Sequence, residues 1–455
     1  MTMSRVAFHT LGCKVNYAET STISRQFIAR GFTIVAADQP CDVFVLNTCS
    51  VTHRADRECR QTVRRILRRS PTAYVIVVGC YSQLQPSEIS SIEGVDLVLG
   101  AREKFRVFDI VEGFSKRNLP QVFVSCIDDP IEFEAAVSGE NDGRTRSFLK
   151  IQDGCEYNCA FCTIPLARGR SRSQDLGEVL HQASSLVGKG FKEIVLTGVN
   201  VGDYGGTAGT PFLELLRALD NVKGLERIRV SSIEPNLLTR ETVDFILRSG
   251  KFCRHFHIPL QSGSDAILKR MHRRYLTREF RELIEYIKGQ DTDAGIGVDV
   301  IAGFPGETDR LFHETCLFLA ELPVSYCHVF TYSERPNTPA DMFSGSVEPR
   351  IRASRSEMLH ILADKKRRSF YSSFIGRTLP VLFETRSFDY RVSGLTSNYI
   401  RAEITSDVDL TNNIRNVRIV GLGDDCCLGE LEGTNDKELI SKPRLFDDVQ
   451  LHARE

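Results

Sequence analysis

Three cysteines fall within one short stretch, DGCEYNCAFCTIP: Cys155, Cys159 and Cys162, spaced CxxxCxxC directly after a predicted strand. Cysteines this dense cannot each fill an independent core position. They wrap a loop so that three thiolates face one centre. A zinc site usually completes four protein ligands, and no fourth Cys or His lies close in the sequence. A four-iron cluster on three thiolates instead keeps one iron open, able to chelate a small molecule. The fold must hold this loop at the end of a strand.

Strand and helix patterns alternate on both sides of the loop. RVAFHT (5–10), DVFVLNT (42–48) and YVIVVG (74–79) are β-branched runs, followed by helical stretches at 16–30, 55–69 and 86–92. This order predicts a parallel sheet with helices on its faces. Ligands gather at the carboxyl ends of such strands. Cys13, Cys49 and Cys80 follow the three strands in turn, each just before a helix. Helix N-termini favour thiolates, so a second cluster or metal is expected at this sheet edge. The chain has 14 cysteines. Cys41, Cys59, Cys126, Cys253, Cys316, Cys327, Cys426 and Cys427 are read as small buried hydrophobes.

The expected architecture is α/β with three domains. Residues 1–125 form the N-terminal sheet domain, and 126–146 an acidic-then-basic linker. In 147–373, strands at 147–152, 193–198, 227–232, 255–259, 295–303 and 325–332 alternate with helices and end in one charged helix. Six βα units make a partial (β/α)6 barrel, with function at the strand C-termini. Residues 374–436 read as a small β-barrel and 437–455 as a tail.

A CxxxCxxC loop after the first strand of a six-strand partial barrel resembles the radical S-adenosylmethionine signature. LGCKVN, NTC and GCY ahead of it, with a small β-barrel behind, resemble the methylthiotransferases of that superfamily. The resemblance covers nearly the whole chain. It implies two [4Fe–4S] clusters, one on Cys155, Cys159 and Cys162, the other on Cys13, Cys49 and Cys80. It also implies S-adenosylmethionine chelated by the open iron and cleaved to a hydrogen-abstracting 5′-deoxyadenosyl radical. Cluster and cofactor carry that chemistry, so no catalytic side chain is expected. Cofactor contacts are implied for Gly198 and Asn200 in LTGVNVGDYG, Gln261 in HIPLQSGSD, Gly303 and Pro305 in GFPGE, and Phe161 beside the third cysteine. Ser232 and Glu234 in VSSIEP suit ribose or carboxylate contact, or ordinary capping of the next helix. The terminal barrel resembles a TRAM domain, with GLTSNYIRAEI the closest stretch. Lys14 and Val15 in GCKVN resemble the branch that places a methylthio group on C2 of N6-threonylcarbamoyladenosine at position 37 of tRNA. Other branches act on isopentenyladenosine or on a ribosomal-protein aspartate.

Lys and Arg total 58 against 59 Asp and Glu, so any nucleic-acid face must be a local patch. HRADRECRQTVRRILRR (53–69) carries seven arginines and two acids. Arg57, Arg60, Arg64 and Arg68 fall within an arc of about 80° at helical spacing. Ala55, Val63, Ile66 and Leu67 lie opposite, able to pack on the sheet. Phosphate binding is expected of the stripe, with a solvated face as the alternative. ARGRSRS (167–173) is similarly basic and suits the cofactor or an interdomain contact. In the terminal barrel, Arg377, Arg386, Arg391, Arg401, Arg415 and Arg418 accompany Phe388, Tyr390 and Tyr399. That mixture suits single-stranded RNA or a barrel core. The expected partner is a tRNA anticodon arm, contacted by Arg57, Arg60, Arg64, Arg68 and Arg401. A reducing electron donor and a sulfur donor are also implied. No signal-peptide core or membrane-length apolar run occurs, so a cytoplasmic protein is expected, and its self-contained sheet and barrel domains suggest a monomer. A non-catalytic iron–sulfur RNA-binding redox sensor is the competing class. It would need neither the TGVNVG nor the GFPGE turn.

Overall fold

The computed structural model describes residues 4–50, 53–127, 132–139, 144–206, 209–386 and 390–432. The expected tail 437–455, Phe388 and much of the linker lie outside them.

The N-terminal domain is one parallel sheet. Its strands are β1 (Arg5–Thr10), β2 (Thr33–Val35), β3 (Val43–Thr48), β4 (Tyr74–Gly79), β5 (Leu97–Leu99) and β6 (Gln121–Phe123). Their order is β2-β1-β3-β4-β5-β6. Helices α1 (Lys14–Ile28), α2 (His53–Arg69), α3 (Cys80–Leu84), α4 (Pro86–Ser90) and α5 (Val107–Ile110) connect them. All of β3 and β4 is buried, as expected of strands covered on both faces. Val63, Ile66 and Leu67 of α2 pack on the sheet as the helical spacing expects. The short β2, β5 and β6 are not among the expected strands. Three residues give too little pattern to read.

The central domain places β7 (Arg146–Lys150), β10 (Glu193–Thr197) and β11 (Arg227–Val230) in one parallel sheet. A second parallel sheet holds β12 (His255–His257), β13 (Gly295–Ala302) and β14 (Tyr326–Thr331). Single bridges Ile228–Phe252 and Ser232–His257 join the halves into one curved partial barrel. Its six strands lie where the sequence expects them. A small hairpin of β8 (Gln152–Asp153) and β9 (Arg172–Ser173) closes the cysteine loop. α6 (Ile164–Arg168) follows the cysteine loop and packs on α3 at the domain seam, and the remaining helices are α7 (Leu176–Gly188), α8 (Phe212–Asp220), α9 (Arg240–Arg248), α10 (Asp265–Arg270), α11 (Thr277–Gln290) and α12 (Asp309–Glu321). The long α13 (Pro349–Ser372) packs against β14 and leads out of the domain.

The C-terminal domain is a closed five-strand barrel of β15 (Thr378–Arg386), β16 (Arg391–Thr396), β17 (Arg401–Thr405), β18 (Ile414–Leu422) and β19 (Cys427–Leu431). The closing strand β19 is not expected from sequence. Its CLGEL carries only two apolar side chains besides cysteine.

The domains interlock. Backbone of 132–139 runs antiparallel to β7 through the Val137–Leu149 bridge and donates from Gly139 N to Ser21 Oγ of α1 at 3.0 Å. The terminal barrel plugs the bottom of the partial barrel. Arg227 and Arg229 donate to the carbonyls of Pro380, Leu395, Thr396 and Ser397. Arg146 Nε lies 2.6 Å from Glu384 Oε1. Tyr399 stacks on His255 at 4.3 Å between ring centres. The TRAM-like stretch is therefore a docking segment, and Tyr399 is no open base platform.

Candidate active site between two cysteine triads

β1, β3 and β4 are neighbours in the sheet, so Cys13, Cys49 and Cys80 emerge side by side at its carboxyl edge. Two glycines permit this. Gly12 has φ +99°, and a Cβ there would come within 2.9 Å of Cys49 Sγ. Gly79 has φ +102°, and its Cβ would come within 2.5 Å of Asn47 Oδ1 and the Thr48 carbonyl. Glycine tolerates that left-handed backbone, and only its missing side chain lets the loops approach. Asn16 ties the edge together, donating from Nδ2 to the carbonyls of Leu11 at 2.8 Å and Thr48 at 3.0 Å. Cys13 is exposed, whereas Cys49 and Cys80 are buried.

The second triad lies across the domain seam. Cys155 N donates to Gly169 O at 3.0 Å, and Cys162 N to Cys159 O at 3.1 Å. Thr163, next to Cys162, donates its hydroxyl to the carbonyl of Ser50, next to Cys49, at 3.3 Å. The two triads therefore share one interdomain cleft.

Burial raises the pKa of Cys155 to about 11, of Cys162 to about 12, and of Cys159 and Cys80 in the same direction. At Cys80, where a helix N-terminus was expected to favour the thiolate, desolvation dominates instead. A bound metal deprotonates coordinating thiols outright, so cluster binding rather than free thiolate chemistry suits them. Among the described residues, no fourth Cys or His is near in sequence to the 155–162 loop. Three soft donors with one position open fit a [4Fe–4S] cluster.

A buried ionic network spans the seam. Arg168 of α6 reaches Glu19 of α1 at 2.9 Å, Asp153 at 2.9 Å and Asn16 Oδ1 at 2.7 Å. Glu19 also meets Lys104 at 2.7 Å and Lys150 at 3.3 Å. Asp153 also meets Lys150 at 3.2 Å and Arg172 at 2.9 Å. Burial alone would raise both carboxyls, but the surrounding cations hold them well below the usual range. Four cations face two carboxylates. The surplus positive charge lies beside Cys80, whose thiol Arg168 and Lys104 pull down against burial. Such surroundings suit iron-bound thiolates. ARGRSRS thus supplies the interdomain contact.

The cofactor-side residues divide. Asn200 is 3% exposed at the end of β10, and neither its Nδ2 nor its Oδ1 has a hydrogen-bond partner. Such orphaned polar atoms are rare in interiors and fit the polar groups of S-adenosylmethionine. Glu234, past the end of β11, pairs with Arg273, whose Nη1 lies 3.0 Å from Cys159 Sγ. Ser232 bridges to His257 where the barrel halves meet. Gly198 gives room to Gln152, whose Oε1 accepts from the backbone N–H groups of Val199 and Asn200 at 2.9 Å each. Gln261 has φ +66° and joins its backbone to Asp299 and Ile301. Gly303 gives room to Arg352 of α13, and Pro305 is buried beside it. Phe161 packs edge-on to Phe304 at 6.3 Å.

On α2, Arg57, Arg64 and Arg68 are exposed. Arg60 is half-buried and donates to Tyr81 Oη at 2.9 Å, so it is partly committed to the fold. Arg401 is half-buried at the start of β17, its N–H on Tyr371 Oη. Arg391 and Arg418 pair with Glu403 and Glu430 at 3.3 and 2.6 Å, and Arg377 pairs with Asp293. Three of the barrel's six named arginines are thereby paired, and α2 carries the denser run of exposed arginines. Arg273 and Arg335 are not among the site residues the sequence leads one to expect. Arg335 reaches from beyond β14 to Asp56 of α2 at 2.7 Å. Lone arginines in loops carry no spacing signal.

The family described as the radical SAM superfamily matches residues 149–319, and that described as uncharacterized protein family UPF0004 matches residues 5–100. The chain is 38% identical over 449 residues to the threonylcarbamoyladenosine tRNA methylthiotransferase MtaB of Bacillus subtilis (strain 168), covering 97% of this chain and 100% of that protein. It is 39% identical over 401 residues to the MtaB protein of Aquifex aeolicus (strain VF5), covering 87% and 95% respectively. Among solved structures, the radical S-adenosylmethionine methyltransferase TsrM from Kitasatospora setae, with tryptophan and a cofactor analogue bound, matches with a TM-score of 0.51 at 14% identity. That match covers 74% of this chain and 75% of TsrM, and is a likeness of fold.

Proposed function

The chain belongs to the radical S-adenosylmethionine methylthiotransferases, and on that premise we propose that it places a methylthio group on C2 of N6-threonylcarbamoyladenosine at position 37 of tRNA. The observation that carries the reading is the shared cleft, with two cysteine triads on either side of one seam joined through Thr163 and Ser50. Each triad holds one [4Fe–4S] cluster in this proposal, one for the cofactor and one for sulfur. When bound, clusters and S-adenosylmethionine supply the reducing electron, the hydrogen-abstracting radical and the transferred sulfur and methyl.

The protein's own part is binding and orientation. Arg273 fixes Cys159 and Glu234 together, and Asn200 offers both a donor and an acceptor to the cofactor. The Arg168 network holds the two domains, and so the two triads, at a set separation. The exposed arginines of α2 neutralise tRNA phosphates beside the cleft. No helix among the described residues is long and apolar enough to cross a membrane.

The test is mass spectrometry of tRNA nucleosides from a strain lacking the gene, with and without complementation. Loss of 2-methylthio-threonylcarbamoyladenosine, accumulation of its unthiolated precursor and rescue by the intact gene are expected. Complementation with Cys49→Ala or Cys159→Ala should fail. Loss of methylthio-isopentenyladenosine instead would move the enzyme to the neighbouring branch. No change in any tRNA nucleoside would remove tRNA as substrate.

A further inference from the structure

The concave face of the partial barrel carries a polar column that the cluster chemistry does not use. Side chains alternate along strands, so Tyr326, His328 and Phe330 of β14 share one face. Tyr326 marks it as the inner face, since its ring covers Gly297 of β13 and lies 5.7 Å from the Tyr399 plug. Above this floor, His257, Asp299 and His328 come from three adjacent strands, with ligand-capable atoms all within 4.8 Å of one another. His257 Nε2 lies 3.0 Å from Asp299 Oδ1, and the two imidazoles are 5.4 Å apart. Higher on the same face, Phe330 is 41% exposed. Lys14, next to Cys13 on the opposing domain, lies near enough for its charge to act on both Asp299 and His255.

Two histidines and a carboxylate could also hold a divalent cation. Two features favour a different occupant. The Asp299 carboxylate is already engaged by His257, and the Lys14 ammonium opposes a second cation. A ligand with a carboxylate and neighbouring N–H or hydroxyl donors matches all the groups at once. The threonylcarbamoyl substituent has that chemistry, and isopentenyl does not.

We propose that Lys14 and His328 bind the carboxylate of the substrate's threonylcarbamoyl group, that Asp299, oriented by His257, accepts from its N–H or hydroxyl donors, and that Phe330 supports the adenine. The pocket rests on the substrate reading above and assigns its selectivity to side chains. In this proposal Lys14 brings the sulfur-side domain's charge to bear on the barrel's polar column.

The experiment uses reconstituted holoenzyme and anticodon-arm tRNA bearing either threonylcarbamoyladenosine or its methyl ester. The ester keeps the size and removes the negative charge. Wild type should prefer the acid by about tenfold or more in kcat/KM, mostly through KM, as expected for one charge-assisted recognition. Lys14→Met and His328→Gln should each lose about tenfold on the acid and little on the ester, while retaining wild-type iron content. Lys14→Arg should recover part of the preference. Equal use of acid and ester by wild type would overturn the proposal without any variant. So would variants that weaken both substrates alike, or a stoichiometric non-iron metal lost in His328→Gln. If wild type modifies neither RNA, the substrate reading itself has failed, which is a separate outcome.

Discussion

Replacing Arg168 with methionine removes the side chain that joins both buried carboxylates to Asn16. Arg168 is 2% exposed and makes four hydrogen bonds, two to Glu19, one to Asp153 and one to Asn16. Breaking a buried ion pair from one side costs about 3–5 kcal/mol. Glu19 keeps Lys104 and Lys150, and Asp153 keeps Lys150 and Arg172. The lower end, about 3 kcal/mol, therefore applies. That free energy is roughly a hundredfold in the opening equilibrium of the seam, at 1.4 kcal/mol per factor of ten. Hydrogen exchange read by mass spectrometry should show α1 and β7 exchanging about a hundredfold faster, with β17 in the terminal barrel unchanged. A Glu19→Gln/Arg168→Met double variant should be less destabilised than the two single effects summed, since the residues are in contact. Exchange in α1 and β7 within threefold of wild type would refute the view that this network sets the seam. Simple additivity in the double variant would refute the pairing itself.

The same carboxylates predict an acid response. Their folded pKa values lie below the ordinary 4.5 and 3.8, so their stabilisation is complete above those values and is lost as pH falls below them. Glu19→Gln should flatten the acid limb of an unfolding-versus-pH curve, and an unchanged limb would count against it. In cluster-free protein, Cys162 and Cys155, with pKa raised to about 12 and 11, should alkylate slowly near neutral pH and faster as pH rises; rapid neutral labelling would contradict those raised values. Arg273→Gln removes a charged donor from Cys159 Sγ and should lower that cluster's potential by about 60 mV, one tenfold step for a single electron. Spectroelectrochemical titration reads the shift, and an unchanged potential would make Arg273 purely a partner of Glu234. Charge reversal at Arg57, Arg64 and Arg68 should reduce the log–log salt slope of tRNA binding by about 2 to 3. A slope unchanged by all three would place the RNA elsewhere.

The strand–helix alternation, both cysteine triads and all six partial-barrel strands were legible in the sequence. Each rests on a short-range pattern: β-branched runs, 3.6-residue spacing, or cysteines within one loop. The basic stripe of α2 was legible for the same reason, although Arg60 turned out to hold Tyr81. What the sequence missed were three-residue strands and the closing strand β19, which exist because neighbours pair with them. Tyr399, open to reading as a base platform or a barrel-core aromatic, stacks on His255 across the domain contact instead.

Local patterns alone placed all six thiols at strand ends and put Cys155, Cys159 and Cys162 in one loop. Gathering Cys13, Cys49 and Cys80 also needed β1, β3 and β4 to pair, and Gly12 is required because Cys49 then comes beside it. Whether the two sets would meet was a tertiary matter. Glu19 and Arg168 are far apart in the chain and become partners only when two sheets dock and desolvate their charges. Lys14 likewise reads as one lysine after a cysteine until the domains close and its charge reaches Asp299. Pairing across a domain seam depends on the joint packing of both folds, and no periodicity within either segment encodes it.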